Sequence, residues 1–311
     1  MKRNNGIVLA VVAIALVVCG FAYYYTSQKE EVLRVSTTTS LFDTGLLDAI
    51  ENDFENRTNY NVQFIAVGTG IAIQHAENGD VDCTLVHAPS LEKEFLENGY
   101  GVNRRIIAYN YFAIVGPEGD PAGINGMGVL EAMEKIADSE SLFVSRDDKS
   151  GTNTKELELW KLTGHFREEL IDEDWYKTTG QGMGSTLIMA DELNGYTMAD
   201  MGTYLKYYVD DRVNLRVFIE GGKELMNVYS VMAANPEVHS DAKFDGAMEF
   251  IDYLTTDDIQ QLIGEYGKDT YGRSLFYPAV GIVQNHTGET YDDLSSIAFI
   301  EGSECPERFR L

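Results

Sequence analysis

The stretch Leu33-Arg-Val-Ser-Thr-Thr-Thr-Ser-Leu-Phe-Asp-Thr-Gly-Leu-Leu47 constrains the fold more than any other part of the chain. Leu33 and Val35 alternate with polar residues as in a strand, and hydroxyl residues then run from Ser36 to Ser40. Beyond them Phe42, Leu46, Leu47, Ile50 and Phe54 recur at helical spacing, so the apolar period changes from two to about 3.6 at the hydroxyls. A strand that enters a helix through Thr-Thr-Ser presents unpaired N–H groups and hydroxyls at the positive end of the helix dipole. That arrangement suits an anion, whereas at a single helix an ordinary Ser/Thr cap serves equally well.

The same alternation continues. Strand patterns at 33–36, 61–67 and 81–87 separate helical patterns at 41–56 and 70–78, which predicts an α/β fold with parallel pairing. Residues 105–115 form a longer β run that stops at Gly116-Pro117, as a strand crossing into a second lobe would. There the pattern restarts with a helix at 128–138, a strand at 142–145, a loop at 147–152 and a helix at 153–162. A Gly-rich stretch at 178–185, an apolar helix at 186–193 and a strand at 215–220 follow. Residues 229–234 return to the first lobe, and 243–254 and 257–266 read as helices. A chain of 311 residues is long enough for two cores. The expected organisation is an N-terminal anchor or signal segment with linker (1–31), lobe one (32–115 and 230–311) and an inserted lobe two (116–229).

Charge narrows the partners. Against 24 Lys+Arg stand 50 Asp+Glu, a formal charge of −26, so the chain has no general attraction for nucleic acid or anionic membrane. Any anion must be held by local donors. Lys2 and Arg3 precede residues 6–25, which carry no charge and are long enough to span a bilayer with the bulk of the chain outside. Cys19 after Leu16-Val17-Val18 has a lipobox-like setting, although Val18 is bulkier than the usual small residue. An exported protein held by an uncleaved helix or by a lipid is expected. Cys83 and Cys305 can pair in an oxidising compartment or remain thiols, and neither has metal-ligand spacing.

Three further stretches lie between a strand and a helix: Val67-Gly68-Thr69-Gly70, Ser145-Arg146-Asp147-Asp148-Lys149-Ser150-Gly151-Thr152 and Thr179-Gly180-Gln181-Gly182-Met183-Gly184-Ser185. In open α/β sheets ligands bind at the carboxyl ends of strands. Glycines admit the ligand close to the backbone, and hydroxyls and amides donate to it. Each stretch alone reads as a turn or a cap. Four of them on both lobes, with Arg146 beside Ser150-Gly151-Thr152, predict a shared anion site.

At this point the chain resembles a known family. Thr37-Thr-Thr-Ser40 with Gly45-Leu-Leu47, Gly68-Thr-Gly70, and Asn78-Gly-Asp-Val-Asp82 with Val86-His-Ala-Pro89 are similar to tungstate-binding proteins of the Tup type, the solute receptors of an ABC importer. So are Gly99-Tyr-Gly-Val-Asn-Arg-Arg105, Tyr109-Asn110 with Ile114-Val-Gly-Pro117, and Asp120-Pro-Ala-Gly123. Ser145-Arg-Asp-Asp148, Ser150-Gly-Thr152, Gly180-Gln-Gly-Met-Gly184 and Tyr196-Thr197 complete the set, which runs from about residue 34 to 236. The resemblance implies a two-lobed periplasmic-binding-protein-like fold with a hinge and an interlobe cleft that closes on tungstate or molybdate. By motif it implies Thr38, Thr39, Ser40, Thr69, Arg146, Ser150 and Thr152 as the ligand-binding residues. It further implies an ABC permease as partner, and a monomer with no catalytic residue and no cofactor is expected. Two positions depart from the family pattern: Asp147 stands where Ser-Arg-Gly-Asp has Gly, and Tyr111 where Tyr-Asn-Asp-Phe has Asp. A carboxylate facing the ligand would oppose a dianion, so Asp147 is expected to point to solvent.

The competing readings each need one more group. A phosphate receptor must accept the proton that phosphate retains, which would call on Asp147 or Asp148. A hydrolase with Ser150 or Ser145 as nucleophile needs a nearby base, and none of the five histidines lies in a motif loop. His87, at the end of an apolar strand, reads as structural. A non-transporting sensory module is a third possibility. Trp160 and Trp175 are expected in lobe-two packing, and Tyr109, Tyr111, Tyr196 and Tyr204 in packing or at the cleft rim.

Overall fold

The computed structural model describes residues 31–299, 304–305 and 307–311. The expected N-terminal anchor, Cys19 included, lies outside them. No helix among the described residues is long and apolar enough to cross a membrane.

The first strand, β1 (Glu31–Thr38), carries the hydroxyls within the strand itself, and Ser36, Thr37 and Thr38 are all buried. Two helices follow where one was expected: α1 (Thr39–Asp43) and α2 (Leu46–Arg57). The break falls at Gly45, whose φ is 80° and where a Cβ would lie 2.8 Å from the Tyr266 hydroxyl. Positive φ and the lack of room both require glycine there. Strand β2 (Tyr60–Val67) runs parallel to β1, in register from Glu31↔Tyr60 to Thr38↔Val67. Helix α3 (Thr69–Glu77) then leads to β3 (Cys83–Val86), parallel to β1 on its other side. The unforeseen α4 (Pro89–Glu97) opens on a proline, whose fixed φ and missing N–H suit the first turn.

The next strand, β4 (Gly101–Gly116), is the longest. After it come α5 (Val129–Asp138), β5 (Phe143–Ser145), α6 (Gly151–Leu162), α7 (Arg167–Leu170), β6 (Tyr176–Thr178) and α8 (Met183–Leu193). Then β7 (Thr197–Asp200), α9 (Met201–Val209) and β8 (Arg216–Glu220) precede the return strand β9 (Met226–Ala234). The remainder is α10 (Phe244–Leu254), α11 (Asp257–Glu265), α12 (Lys268–Tyr271), β10 (Tyr277–Pro278), α13 (Val280–Asn285) and α14 (Glu289–Ile297). The main sheet has the order β10-β4-β9-β3-β1-β2.

Strand β4 belongs to both halves of the molecule. From Gly101 to Tyr111 it pairs antiparallel with β9, and from Phe112 onward with β7 and β8. One core gathers Leu33, Val35, Phe54, Phe250 and Phe276; another gathers Phe112, Ile114, Trp160, Trp175 and Tyr196. The sheet built on β1 to β3 is parallel, as expected. The β4–β9 pair is antiparallel because the chain leaves the first half on one strand and returns on the other. Both tryptophans pack in the second core. The tyrosines pack too: Tyr109 stacks on Tyr277, Tyr196 donates to Asp120 at 2.6 Å and Tyr204 to the Leu215 carbonyl at 2.8 Å. Arg104 is buried on Glu92 at 2.6 Å and also donates to the Ala298 carbonyl, which pins the C-terminal segment. Cys83 and Cys305 are buried thiols.

Candidate anion-binding site

The carboxyl end of β1 and the start of α1 bring the first hydroxyls together. Thr38 caps α1, its Oγ1 accepting from the Leu41 N–H at 3.2 Å, and it lies 3.3 Å from Ser40 Oγ. Both hydroxyls meet one ring nitrogen: His87 Nε2 is 3.1 Å from Thr38 Oγ1 and 3.3 Å from Ser40 Oγ. Thr39 opens α1 and is exposed, outside this cluster. Thr69 begins α3 behind Gly68, which has no side chain to cap the helix, so the first N–H groups of that helix lack a side-chain partner. The Thr69 hydroxyl is buried and has no hydrogen-bond partner. A buried hydroxyl without a protein partner costs stability unless some other group takes its hydrogen bond.

The facing loop hangs between β5 and α6. Arg146 is 4% exposed; its Nε and Nη2 donate to Asp148 Oδ2 at 3.1 and 2.6 Å, and its Nη1 to Thr152 Oγ1 at 3.3 Å. Asp148 Oδ1 accepts from the Ser150 N–H at 3.1 Å, and Ser150 caps α6 by accepting from the Asn153 N–H at 3.2 Å. Asp147 has a φ of 43° and is turned away from Arg146 onto Arg167, whose Nε and Nη2 donate to it at 2.7 and 2.8 Å. The expectation that it faces solvent is therefore met only in part, because Arg167 neutralises it. Below the loop, the buried Glu156 accepts from Ser145 Oγ at 2.7 Å, Tyr176 Oη at 2.6 Å and Trp160 Nε1 at 3.2 Å. Burial pushes the Glu156 carboxyl up to about 7, against the pull of these donors.

The two sides touch at Gly151. A Cβ on this residue would lie 2.8 Å from His87 Cε1 and 3.4 Å from Thr69 Oγ1. The N-terminus of α6 therefore meets the Thr69 hydroxyl of α3 directly and the hydroxyls of β1–α1 through the His87 ring that they bond. A second contact sits at Gly202, where a Cβ would be 2.8 Å from Thr44 Cγ2. Three of the four loops meet in this way. The fourth instead braces Arg146 from behind: the Thr179 and Gly180 N–H groups donate to the Ser145 and Arg146 carbonyls at 3.0 and 2.8 Å. Its Gly180, Gln181 and Gly182 are exposed.

Four residues outside the expected ligand set lie at the site: His87, which reads as structural in the sequence, Asn227, Asn110 and Asp200. His87 is buried, and its Nδ1 lies 2.8 Å from Asn227 Oδ1. The Asn227 amide donates onward to Asn110 Oδ1 and Tyr229 Oη, both at 2.9 Å, so its oxygen is the atom facing His87. Asn110 and Asn227 are register partners on β4 and β9. Burial, with the Arg146 charge adding to it, lowers His87 to about 4 although its bond to Asn227 works the other way. Asp200 caps α9, accepting from Thr203 N and Oγ1 at 2.9 and 3.0 Å, and burial raises its pKa. The signal for His87 was the tetrapeptide Val86-His-Ala-Pro89; nothing local marked Asn227 or Asp200. Among the described residues no group of His, Cys, Asp and Glu is placed to hold a metal ion.

Two lobes on a shared strand pair, with hydroxyls and helix N-termini converging between them, define a class of solute-binding protein. A sequence model of the PBP superfamily domain matches residues 26–258. Within that superfamily the chain belongs to the family of TupA tungstate-binding proteins. It is 38% identical over 288 residues to the tungstate-binding protein TupA of Peptoclostridium acidaminophilum, covering 89% of this chain and 99% of that one. It is 43% identical over 252 residues to a Haloferax volcanii protein named for anion binding in an ABC transporter, covering 79% of this chain and 71% of the relative. The solved structure of the tungstate-binding protein TupA from Desulfovibrio alaskensis G20 superposes with a TM-score of 0.71 at 43% identity, over 80% of this chain and 98% of that one.

Proposed function

We propose that this protein captures tungstate, and molybdate less tightly, outside the cytoplasm and delivers it to an ABC permease. The observation that carries this reading is the meeting at Gly151, where an uncapped α3 and the buried, partnerless Thr69 hydroxyl face the N-terminus of α6. The anion's oxygens would take hydrogen bonds from Thr38, Ser40, Thr69, Ser150 and Thr152, with Arg146 as the fixed cation and Thr39 contributing through its backbone. No protein atom is asked to ligate the metal. Roughly six hydrogen bonds to a charged ligand give ~9–18 kcal/mol gross, and association removes several to more than ten of that. Sub-micromolar affinity, about −8 kcal/mol or better, lies within that range.

The lobes in this reading are 32–115 with 230–311 and 116–229, hinged on β4 and β9, and residues 1–31 tether the receptor to the membrane. A proton-bearing anion such as phosphate fits less well, because the carboxylates it would use are engaged: Asp147 by Arg167, and Asp148 by Arg146 and the Ser150 N–H. As for the hydrolase reading, Ser145 is bonded to Glu156 and Ser150 caps its helix. Calorimetric titration with tungstate, molybdate, sulfate and phosphate tests the proposal. Tungstate should bind tightest, and phosphate displacing it at equal concentration would overturn the choice of ligand.

A further inference from the structure

The site's fixed charges do not balance a doubly negative ligand. Arg146 gives two of its donors to Asp148, so the nearest cation arrives already neutralised. The other charges around His87 also come in opposed sets. Lys155 and Glu158 of α6, with Lys223 and Glu224, share with His87 a cavity of about 420 Å³. Glu92, which accepts from the Ala88 N–H, is paired with Arg104. The Tyr229 ring lies tilted against the imidazole with centroids 4.9 Å apart, and burial keeps its hydroxyl protonated. What remains is Asp200, which is buried, feels the charges of Arg146 and of Asp43, and among the described residues makes no ion pair of its own.

One group can correct this imbalance by taking a proton. The direction of the Asn227 amide fixes the neutral tautomer of His87: its Nδ1–H donates to Asn227 Oδ1 and its Nε2 is bare. A bare Nε2 accepts a hydrogen bond from the hydroxyl of Thr38 or Ser40, the donors the anion needs. A protonated Nε2 would instead donate to those oxygens and release the hydroxyl proton toward the ligand. Protonation therefore adds a charge and frees a donor in one step.

We propose that His87 is an anion-binding residue that takes one proton from solvent when the dianion enters, so that the ligand is held against an imidazolium behind Thr38 and Ser40. This rests on the oxyanion reading of the site. In the free protein burial holds the group near 4, so it is neutral at pH 7. A dianion about 5 Å from the ring, at an effective dielectric of about 20, favours the imidazolium by a factor of roughly 10⁴–10⁵. That suffices to protonate it at neutral pH. Because the complex holds one proton more than the free protein, affinity should fall about tenfold per pH unit from about pH 5 upward, until the bound imidazolium itself titrates.

Calorimetry of tungstate binding at pH 7, in two buffers of different ionisation heat, counts the protons directly. The wild type should take up about one proton per anion. His87→Gln, which keeps an N–H near the hydroxyls but holds no proton at neutral pH, should take up close to none and lose the pH slope. In the wild type the His87 ring-carbon shifts should move to imidazolium values on saturation with tungstate, a readout that stands if the variant does not fold. Tungstate binding with no proton uptake would overturn the inference alone, as would uptake retained in His87→Gln, which would place the proton on Asp200. Absence of tungstate binding at every pH would overturn the ligand reading and this inference with it.

Discussion

Gly151→Ala isolates closure from folding. Gly151 is the first residue of α6 and does not have a positive φ, so alanine suits the backbone and favours the helix by up to about 1 kcal/mol. Its methyl would lie 2.8 Å from His87 Cε1 and 3.2 Å from Nδ1, both across the cleft. The ring cannot step aside, because Asn227 holds one nitrogen and the Thr38 and Ser40 hydroxyls the other. Forcing a methyl into such a contact costs about 1–3 kcal/mol, and only where α6 meets His87. Tungstate affinity should therefore fall about 5- to 150-fold, while the unliganded protein melts at the same temperature or higher. Calorimetry and a thermal melt without ligand give the two numbers. Affinity within twofold of wild type would refute the reasoning. So would a parallel fall in the unliganded melting temperature, which would show that the methyl strains the fold and not the closed arrangement.

Thr69→Val removes a hydroxyl that no protein group uses; the unliganded protein should be no less stable, and affinity should drop by about 1.5–3 kcal/mol, the worth of a hydrogen bond to a charged ligand. An unchanged dissociation constant would remove Thr69 from the site. Arg146→Ala leaves the half-buried Asp148 without its cation, so stability should fall by about 1–3 kcal/mol and affinity more steeply than in Thr69→Val; Arg146→Lys, with a charge but no fork, should restore only part. Titration of Arg146→Ala at wild-type affinity would exclude it. Glu156 has its pKa raised from 4.5 to about 7; the folded form holds the proton more tightly, so this contribution is complete below about pH 4.5 and lost as pH rises through 7. Comparing wild type with Glu156→Gln, the wild type should lose roughly 3 kcal/mol relative to the variant across that window, and parallel stability–pH curves would contradict it. His87 acts in the opposite sense in the unliganded protein: its pKa is lowered from 6.5 to about 4, so its contribution is present above about pH 6.5 and lost as pH falls through 4. Tungstate should flatten that acid limb, and an identical limb with and without ligand would count against a bound imidazolium.

The alternation of periods, the hydroxyls after β1 and the Gly-Thr-Gly and Ser-Gly-Thr turns were legible because each is written within a few consecutive residues. They determine an α/β chain whose strands end in donors, and they mark Thr38, Ser40, Thr69, Arg146 and Thr152. The break of the first helix at Gly45 was not legible, since it depends on Tyr266 more than two hundred residues away. Which carboxylate meets Arg146 was equally hidden: Asp147 and Asp148 are adjacent, and only the left-handed turn at Asp147 sends one to Arg167 and the other to Arg146. His87 looked structural because a lone histidine on an apolar strand carries no period. It joins the site only because the sheet sets β3 between β1 and β9, which brings Thr38 and Asn227 to opposite nitrogens of one ring. Sequence thus settled which donors the chain possesses. Tertiary structure decided how much of their charge a ligand can still use, because burial and long-range pairing are set by residues far apart in the chain.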